Sequence, residues 1–210
     1  MIYRIDLHVH TSSSGDNNAD LEEVIEAAIR KGLEGLAITE HYTFGASEPV
    51  EALRERYHGR ITLYRGVEFS AREGHCLVFG ADTDRMAMKY APVRELVRAV
   101  TEAGGVVIPT HPYRGANSMG DIVLDLPGIA GIEGCNGANL HAMNMRAMEA
   151  AAGRKLPFTG GSDAHAPAEV GSCYTEFDEL VTPETFVDRL RSGRFTGRDT
   201  RKVSRIGFPY

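Results

Sequence analysis

Hydrophobic and polar residues repeat along the chain in two periods, which predict helices and strands in alternation. In residues 20–32 the apolar positions recur every three or four residues, acidic residues open the segment, and Arg30, Lys31 and Gly32 close it. This is the pattern of an amphipathic helix. Short apolar runs such as 36–38 and 106–108 predict buried strands.

In chain order the pattern predicts seven strands and five helices. The strands are expected at 2–7, 36–38, 61–67, 75–79, 106–109, 129–133 and 157–159, and the helices at 20–32, 48–57, 93–103, 139–152 and 182–191. Strands that alternate with helices favour a mostly parallel sheet. Seven such strands come close to the number that a closed barrel needs.

Length and composition narrow the class of protein. A chain of 210 residues, 42% hydrophobic and 25% charged, suits one ordinary soluble globular domain. Its apolar runs are too short to span a membrane, and its first residues lack the apolar core of a signal peptide. The three cysteines are an odd number without framework spacing, which favours reduced thiols and a cytoplasmic location.

The net charge of −6 is unevenly distributed. Residues 189–210 carry seven basic residues and one acid, so they contribute +6 and the preceding 188 residues carry −12. We interpret residues 196–210 as a solvated basic tail that follows a domain at 1–195; a phosphate-rich partner is the alternative. The negative total alone disfavours a nonspecific nucleic-acid binder.

Histidine, aspartate and glutamate recur where the predicted strands end. His8 and His10 are two positions apart in an extended segment, so both imidazoles can reach one ion. The later positions of this kind are His41, Glu68, His75, His111, Asp163 and His165. In an α/β barrel the carboxyl ends of the strands meet on one face.

Neutral imidazoles together with carboxylates are ligands for zinc, manganese or iron. A single histidine at a strand end is more often a hydrogen-bonded loop residue than a ligand. The recurrence of the same chemistry after nearly every strand favours a metal centre. Bound cations would also reverse the local charge, which removes the objection to an anionic substrate or to nucleic acid.

The sequence resembles the PHP family, named for polymerase and histidinol phosphatase, from Asp6 to about Phe195. Four motifs carry the resemblance: Asp6-Leu7-His8-Val9-His10-Thr11, Ile38-Thr39-Glu40-His41, Thr110-His111-Pro112 and Gly161-Ser162-Asp163-Ala164-His165. The resemblance implies a single-domain α/β fold, a distorted (β/α)7 TIM-like barrel, with a centre of two or three divalent ions.

The resemblance also implies how the ligands divide. The first ion would be held by His8, His10, Glu68 and Asp163, and the second by Glu68, His75 and His111. The third would be held by His41, His165 and Asp16; the alternative for Asp16 is a turn residue bonded to its own backbone. Asp6 and Glu40 are expected to orient ligands or water from behind, although Glu40 is also a candidate direct ligand.

The chain is most similar to the small stand-alone phosphoesterases of the family. This similarity implies hydrolysis of a small phosphomonoester or nucleotide by a metal-bridging hydroxide. Glu68, Asp163, His165 and Arg114 are the catalytic candidates, with Arg114 placed to neutralise phosphoryl charge; the alternative for Arg114 is a surface arginine. The proton donor to the leaving group stays open between a metal-bound water and a residue of the third site.

Other functions remain as alternatives. The same centre suits a 5′-3′ exonuclease on short oligonucleotides, which the basic segment 189–205 would support, or a histidinol-phosphate phosphatase. A noncatalytic metal-binding regulatory domain is a further alternative, disfavoured by the complete ligand set. No membrane partner is expected, and the oligomeric state is not predicted.

Overall fold

The computed structural model of the chain describes residues 2–202. Its strands are β1 (Tyr3–Val9), β2 (Gly35–Ile38), β3 (Thr62–Ser70), β4 (His75–Phe79), β5 (Val106–Pro109), β6 (Ile132–Asn136), β7 (Phe158–Gly161), β8 (Cys173–Phe177) and β9 (Phe195–Asp199). Its α-helices are α1 (Leu21–Arg30), α2 (Pro49–Arg54), α3 (Val93–Glu102), α4 (His141–Arg154) and α5 (Phe186–Ser192).

The seven predicted strands correspond to β1–β7, and the five predicted helices to α1–α5. The sixth strand lies three residues later than expected, which places Glu133 inside β6 and Asn136 at its end. The last helix begins at Phe186 instead of 182. The sequence pattern missed β8 and β9. In β8 buried and half-buried residues alternate, and β9 contains a glycine and an arginine, so neither shows a continuous apolar run.

The first helix shows how local sequence sets an element boundary. The Asp20 side chain accepts hydrogen bonds from the backbone N–H groups of Glu22 (2.9 Å) and Glu23 (3.1 Å), so it caps the helix. One face of α1 is buried through Val24, Ile25 and Ala28. Gly32 then turns the chain in the left-handed region, at φ 72°. The helix α1, which connects β1 to β2, is therefore held in place by its cap and by its buried face.

The sheet is mixed, so the expectation of a mostly parallel sheet is wrong. Seven strands pair in the order β5-β4-β3-β2-β1-β8-β9, and β6 pairs with β7 separately. The pairs β1–β2, β2–β3 and β6–β7 are parallel; β3–β4, β4–β5, β1–β8 and β8–β9 are antiparallel. The cause at β3–β4 is the short loop between Ser70 and His75, since a parallel crossover needs a dozen or more residues.

Backbone hydrogen bonds next to the β6–β7 pair join it to β5 on one side and to β1 on the other. On one side the Ala130 N–H donates to the Val107 carbonyl (3.0 Å). On the other, Asp163 N–H donates to His8 C=O (2.7 Å) and His10 N–H to Ala164 C=O (3.0 Å). Strands β1–β7 thus complete a circuit, and the β8–β9 hairpin pairs with the first half of β1. The predicted single-domain α/β fold, a distorted (β/α)7 TIM-like barrel, is confirmed.

The basic C-terminal segment is part of the fold through Arg201, so the expected solvated tail is wrong for residues 196–201. The reason is that β9 pairs with β8 along its whole length. Arg198 forms an ion pair with Glu176 (2.6 Å), and Arg201 with Asp199 (2.6 Å). Residues 203–210, including the rest of that segment, lie outside the described residues.

Two further expectations concern the cysteines and membranes. Cys76, Cys135 and Cys173 are free thiols, and all three are buried. Burial raises the pKa of the Cys135 thiol to about 12, so this sulfur is held in its protonated form. Within residues 2–202, no helix has the length and apolar character needed to cross a membrane.

Candidate metal centre

One edge of the barrel collects the histidines and carboxylates that the sequence singled out. His8 lies in β1 and Glu68 in β3, while His10, His41 and His111 follow β1, β2 and β5 closely. His75 is the first residue of β4, yet it reaches the same edge because β4 runs antiparallel and His75 pairs with Ser70 at the end of β3. Asp163 and His165 follow β7.

Glu68 is the centre of this cluster. Its side chain is 2% exposed and its two oxygens face different histidines. Oε1 lies 3.4 Å from His8 Nε2, 3.2 Å from His75 Nδ1 and 3.1 Å from His111 Nε2. Oε2 lies 2.9 Å from His41 Nδ1 and 3.6 Å from His10 Nε2. A carboxylate surrounded in this way can bridge two cations.

Ligand atoms gather in groups small enough for single ions. In each of three groups these atoms lie within 4.8 Å of one another: His8, His10 and Glu68; Glu68, His75 and His111; and His10, His41 and His165. Asp163 belongs beside the first group, since its Oδ1 is 3.4 Å from His8 Nε2 and 3.3 Å from His10 Nε2. The first two groups bring together residues that the family resemblance assigned to the first and second ions.

Asp16 completes the third group from the loop after β1. Its Oδ2 lies 3.0 Å from His41 Nε2 and 3.2 Å from His165 Nε2. Local sequence explains the position: Thr11 caps a 3-10 turn at Ser12–Ser14, and Gly15 reverses the chain at φ 80°. Asp16 is thereby brought back over the site. His10 also belongs to this group, which the sequence analysis did not foresee.

Unpartnered nitrogen atoms show that the cluster fits a cation. Within the described part of the chain, His8 Nε2, His10 Nε2 and His41 Nδ1 are buried without a hydrogen-bond partner. Buried polar atoms of this kind are costly unless another group satisfies them. Each of the three faces a carboxylate of the cluster, so a divalent ion would satisfy both the nitrogen and the carboxylate. His/Glu clusters suited to metal binding are therefore present.

The buried carboxylates and imidazoles of the cluster set each other's charge. Burial opposes the charge on Glu68 and Asp163, but His8 and the neighbouring imidazoles outweigh it and hold the pKa of both carboxyls well below the ordinary value. Burial lowers the pKa of His10 to about 4. The carboxyls are thus ionised and His10 is neutral at pH 7, which are the forms that bind divalent cations. Burial opposes the charge on His8 and His41, but the neighbouring carboxylates outweigh it and raise the pKa of both imidazoles, so a cation bound there would displace a proton.

Two ligand positions have an unusual backbone. His111 and Asp163 adopt left-handed conformations, at φ 31° and φ 53°, which are uncommon for residues other than glycine. His111 N–H donates to Glu133 Oε2 (2.9 Å) and Asp163 N–H donates to the His8 carbonyl (2.7 Å). These bonds hold both strained residues with their side chains in the cluster.

The structure places Glu40 and Asp6 behind the cluster. Glu40 accepts hydrogen bonds from Thr11 Oγ1 (2.5 Å) and from the Ser14 hydroxyl, whose oxygen in turn accepts from His41 N–H (3.1 Å). Asp6 accepts from the backbone N–H groups of Ser162 (2.8 Å) and Gly171 (2.7 Å). Both carboxylates hold loops that carry candidate ligands, and neither belongs to the three ligand groups.

Glu133 is a buried part of the site that the sequence analysis missed. Its Oε1 lies 2.8 Å from His8 Nδ1, and its Oε2 accepts from His111 N–H (2.9 Å) and Asn136 Nδ2 (2.9 Å). A hydrogen bond at Nδ1 fixes the imidazole with Nε2 toward the cluster. The signal in the sequence was a lone acid between apolar and small residues of a predicted buried strand.

Arg114 lies at the mouth of the cluster. Its Nη2 donates to Asp163 Oδ2 (2.6 Å) and Asn136 Oδ1 (2.6 Å), and its Nε donates to Asn139 Oδ1 (2.7 Å). The two asparagines orient the guanidinium, and its side chain keeps 30% of its surface exposed. It adjoins a cavity of about 270 Å³ that is also lined by His41, Glu68, His75, His111 and His165. A cation therefore stands beside the ligand cluster.

Fold and site together define a barrel with a metal-binding centre of imidazoles and carboxylates at one edge. Residues 6–118 match the family model of the PHP domain, and residues 141–195 match that of the PHP-associated region, PHP_C. The first match covers more than half of the chain, so the chain belongs to the PHP domain family.

Individual relatives show the same likeness. The uncharacterized protein MJ1587 of Methanocaldococcus jannaschii is 27% identical over 134 residues, which are 59% of this chain and 76% of that protein. A two-domain protein from Bacteroides vulgatus that contains a predicted PHP-like metal-dependent phosphoesterase superposes with a TM-score of 0.73 at 18% identity. The lesion-specific endonuclease PfuEndoQ from Pyrococcus furiosus superposes with a TM-score of 0.70 at 17% identity.

These two structural matches cover 95% and 93% of this chain. They cover 65% and 57% of the respective neighbours, so the chain spans less than two thirds of either. At such identities the likeness shows a shared fold.

Proposed function

We propose that the chain is a phosphoesterase that hydrolyses a small phosphomonoester or a nucleotide with two or three divalent ions. The observation that carries the proposal is the arrangement around Glu68, where two of the three groups of ligand atoms share this carboxylate and all three lie at one edge of the barrel. Imidazole and carboxylate without thiolate suit zinc, manganese and iron alike.

The chemistry of the cavity over the cluster supports a phosphate ester. Its lining combines imidazoles with the Arg114 guanidinium, so it attracts an anion once cations occupy the ligand groups. Its volume of about 270 Å³ suits a phosphoryl group better than a whole drug-sized ligand, because such ligands need roughly 300–1,000 Å³. The rest of the substrate must extend beyond it.

When bound, the divalent ions would act as Lewis acids and would lower the pKa of water for attack on phosphorus. The residues of the chain supply the other requirements. Arg114 offers its guanidinium to the phosphoryl oxygens as their charge grows. Glu133 keeps His8 oriented through Nδ1. The leaving alkoxide requires a proton, and a water molecule beside Asp16 and His165, at the partly exposed side of the site, can supply it.

The test is phosphate release by purified protein loaded with manganese, with the metal content measured in the same sample. We expect hydrolysis of at least one small phosphomonoester or nucleotide, and loss of that activity in His111→Ala. The matched control is His58→Ala, which removes an exposed histidine that belongs to none of the ligand groups. Metal-loaded protein that releases no phosphate from any ester of the panel would contradict the proposal.

An exonuclease that acts on short oligonucleotides is the second candidate. Its support is that the barrel is shared with the lesion-specific endonuclease PfuEndoQ. The basic segment gives it less support than expected, because Arg189, Arg198 and Arg201 form ion pairs with Glu179, Glu176 and Asp199. Including a dinucleotide in the panel compares the two activities directly.

Three buried free thiols favour the reducing cytoplasm as the place of action.

A further inference from the structure

An apolar groove continues from the cavity over the metal centre. Its outer part has a volume of about 570 Å³, within the range of small-molecule sites. Phe69 and Met88 contribute apolar surface there, together with the rings of Tyr42 and Tyr90. The groove is formed by the loop after β2, the end of β3 and the segment 84–90.

The groove is continuous with the metal centre through a shared set of residues. A middle section of about 410 Å³ shares His75 and Asn117 with the cavity over the cluster. The same section shares Tyr42, Ser70 and Tyr90 with the outer part. The ring of Tyr42 is also 5.5 Å, between centroids, from the ring of His41. The groove therefore adjoins the position that a phosphate would take over the cluster.

Both tyrosines are held with their rings toward solvent. Tyr42 is 69% exposed and Tyr90 is 63% exposed, and both have left-handed backbone conformations, at φ 68° and φ 49°. Bulky residues rarely adopt this conformation. Hydrogen bonds fix it: Thr43 N–H donates to the His41 carbonyl (2.8 Å), and Arg72 Nε donates to the Tyr90 carbonyl (3.3 Å).

The two walls of the groove are tied to each other. Asp84, from the wall that carries Tyr90, accepts hydrogen bonds from the backbone N–H groups of Phe44 (3.1 Å) and Gly45 (2.8 Å), which follow Tyr42. The guanidinium of Arg65 lies over the Phe44 ring, 4.5 Å from its centroid, and fixes this loop further. The exposed rings thus belong to a braced, preformed groove.

We propose that this groove binds the nucleobase of the leaving group, with Tyr42 and Tyr90 as its stacking residues. The inference rests on the proposed phosphoesterase function. Exposed aromatic rings stack on any base, because every base has a π-face. The outer part of the groove is mainly apolar and aromatic, so a base gains more there than the hydroxyl groups of a small polyol phosphate, which would use chiefly the cavity at the cluster. The base belongs either to a mononucleotide or to the next nucleotide of a short chain.

Binding of adenosine to the metal-loaded full chain tests the groove without any phosphate chemistry. Saturation-transfer NMR should show contact between the adenine protons and the protein. We expect Tyr42→Ala and Tyr90→Ala to weaken binding by about 5-fold to 100-fold. Tyr42→Phe and Tyr90→Phe, which keep the ring, should retain it. Leu180→Ala, which truncates an equally exposed apolar residue outside the groove, should bind as wild type does.

Turnover then links the groove to the metal centre. For a nucleoside monophosphate or a dinucleotide, we expect Tyr90→Ala to lower kcat/KM by about 5-fold to 100-fold through KM, with glycerol phosphate unaffected. If Tyr90→Ala lowers kcat/KM for the mononucleotide, the groove binds the base of the hydrolysed nucleotide. If it lowers kcat/KM only for the dinucleotide, the groove binds the base of the next nucleotide in the chain. Equal loss with glycerol phosphate, or adenosine binding that neither alanine variant weakens, would overturn the inference. Failure of the proposed function looks different, since no ester at all would then be hydrolysed.

Discussion

Glu133 Oε1 lies 2.8 Å from His8 Nδ1, and both side chains are fully buried. This pairing sets the direction of His8, whose Nε2 then faces Glu68 and Asp163 at 3.4 Å each. The other oxygen of Glu133 accepts from the His111 backbone. One carboxylate of β6 thus positions two candidate ligands, one from β1 and one that follows β5, which belong to two different groups of ligand atoms.

Replacing Glu133 with Gln should weaken metal binding while the fold is retained. The amide keeps the size of the side chain but turns one acceptor oxygen into an NH₂ group. That group would face either His8 Nδ1 or the N–H donors of His111 and Asn136. Residues that orient metal-bound histidines cost about 10- to 100-fold in affinity when mutated. Titration of the purified variant with manganese in competition with a chelator measures this loss.

The matched control is Glu149→Gln, at an exposed position of α4. It makes the same chemical change away from the cluster and should leave the affinity unchanged. An affinity in Glu133→Gln that equals that of the control would show that His8 is oriented by other contacts.

Asp16→Ala should remove one ion and spare the others. Asp16 lies beside His41 and His165, which belong to the third group, whereas Glu68 is a member of the first two groups. We therefore expect the ratio of metal to protein, measured by elemental analysis after desalting, to fall by about one. Asp178→Ala, an exposed acid outside the cluster, is the control. Retention of the full metal content would assign Asp16 to the turn instead.

Gly161→Ala should destabilise the protein because β7 passes directly beside His8. A Cβ at this position would stand 2.9 Å from His8 N and 3.1 Å from Glu133 Oε1, with the His8 Cβ closer still. Overpacking of this kind costs about 1–3 kcal/mol. Gly153→Ala is the opposite case, since a Cβ there meets nothing within 4 Å and the residue is helical. It should stabilise by up to about 1 kcal/mol. Urea unfolding of the two variants should shift the midpoint in opposite directions.

Much of the barrel and most of the cluster could be predicted from local sequence. Apolar runs at 36–38 and 106–108 are short and continuous, so they mark β2 and β5 without knowledge of the fold. His8 and His10 are two residues apart, and that spacing is enough to place both imidazoles on one side of the chain. The structure brings their Nε2 atoms to the same oxygen of Asp163.

What escaped prediction depends on long-range pairing. The direction of β4 follows from its hairpin with β3, and apolar runs carry no direction. β9 is defined by its ladder with β8, since Thr196, Gly197 and Arg198 have no strand pattern of their own. The role of Glu133 required knowledge that β6 lies beside the ends of β1 and β5. Tyr42 and Tyr90 are 48 positions apart and meet only in the groove.

The C-terminal strand is connected to the metal centre by a chain of polar contacts. Arg201 donates to Asp199 Oδ2 (2.6 Å) and, through Nη1, to the carbonyls of Gly137 and Asn139 (2.6 Å each). Asn139 Oδ1 in turn accepts from Arg114 Nε (2.7 Å). Asp199 and Arg201 therefore fix the loop after β6, and that loop orients the cation beside Asp163.

Asp199→Asn should lower stability in a way that depends on pH. The Asp199 side chain is 7% exposed; burial opposes its charge, but hydrogen bonds from Arg201 and Asn144 outweigh it and lower the pKa from 3.8 to about 2. A carboxyl with a depressed pKa stabilises the folded state above pH 4 and loses this contribution as the pH falls toward 2. The expected contribution is about 2 kcal/mol at pH 7 and roughly half of that at pH 3. Urea unfolding of wild type and variant at pH 7, 4 and 3, with a chelator present in every sample, measures the difference. A difference that stays constant from pH 7 to pH 3 would show that the carboxylate acts through shape alone, and no difference at pH 7 would show that Arg201 holds the loop without it.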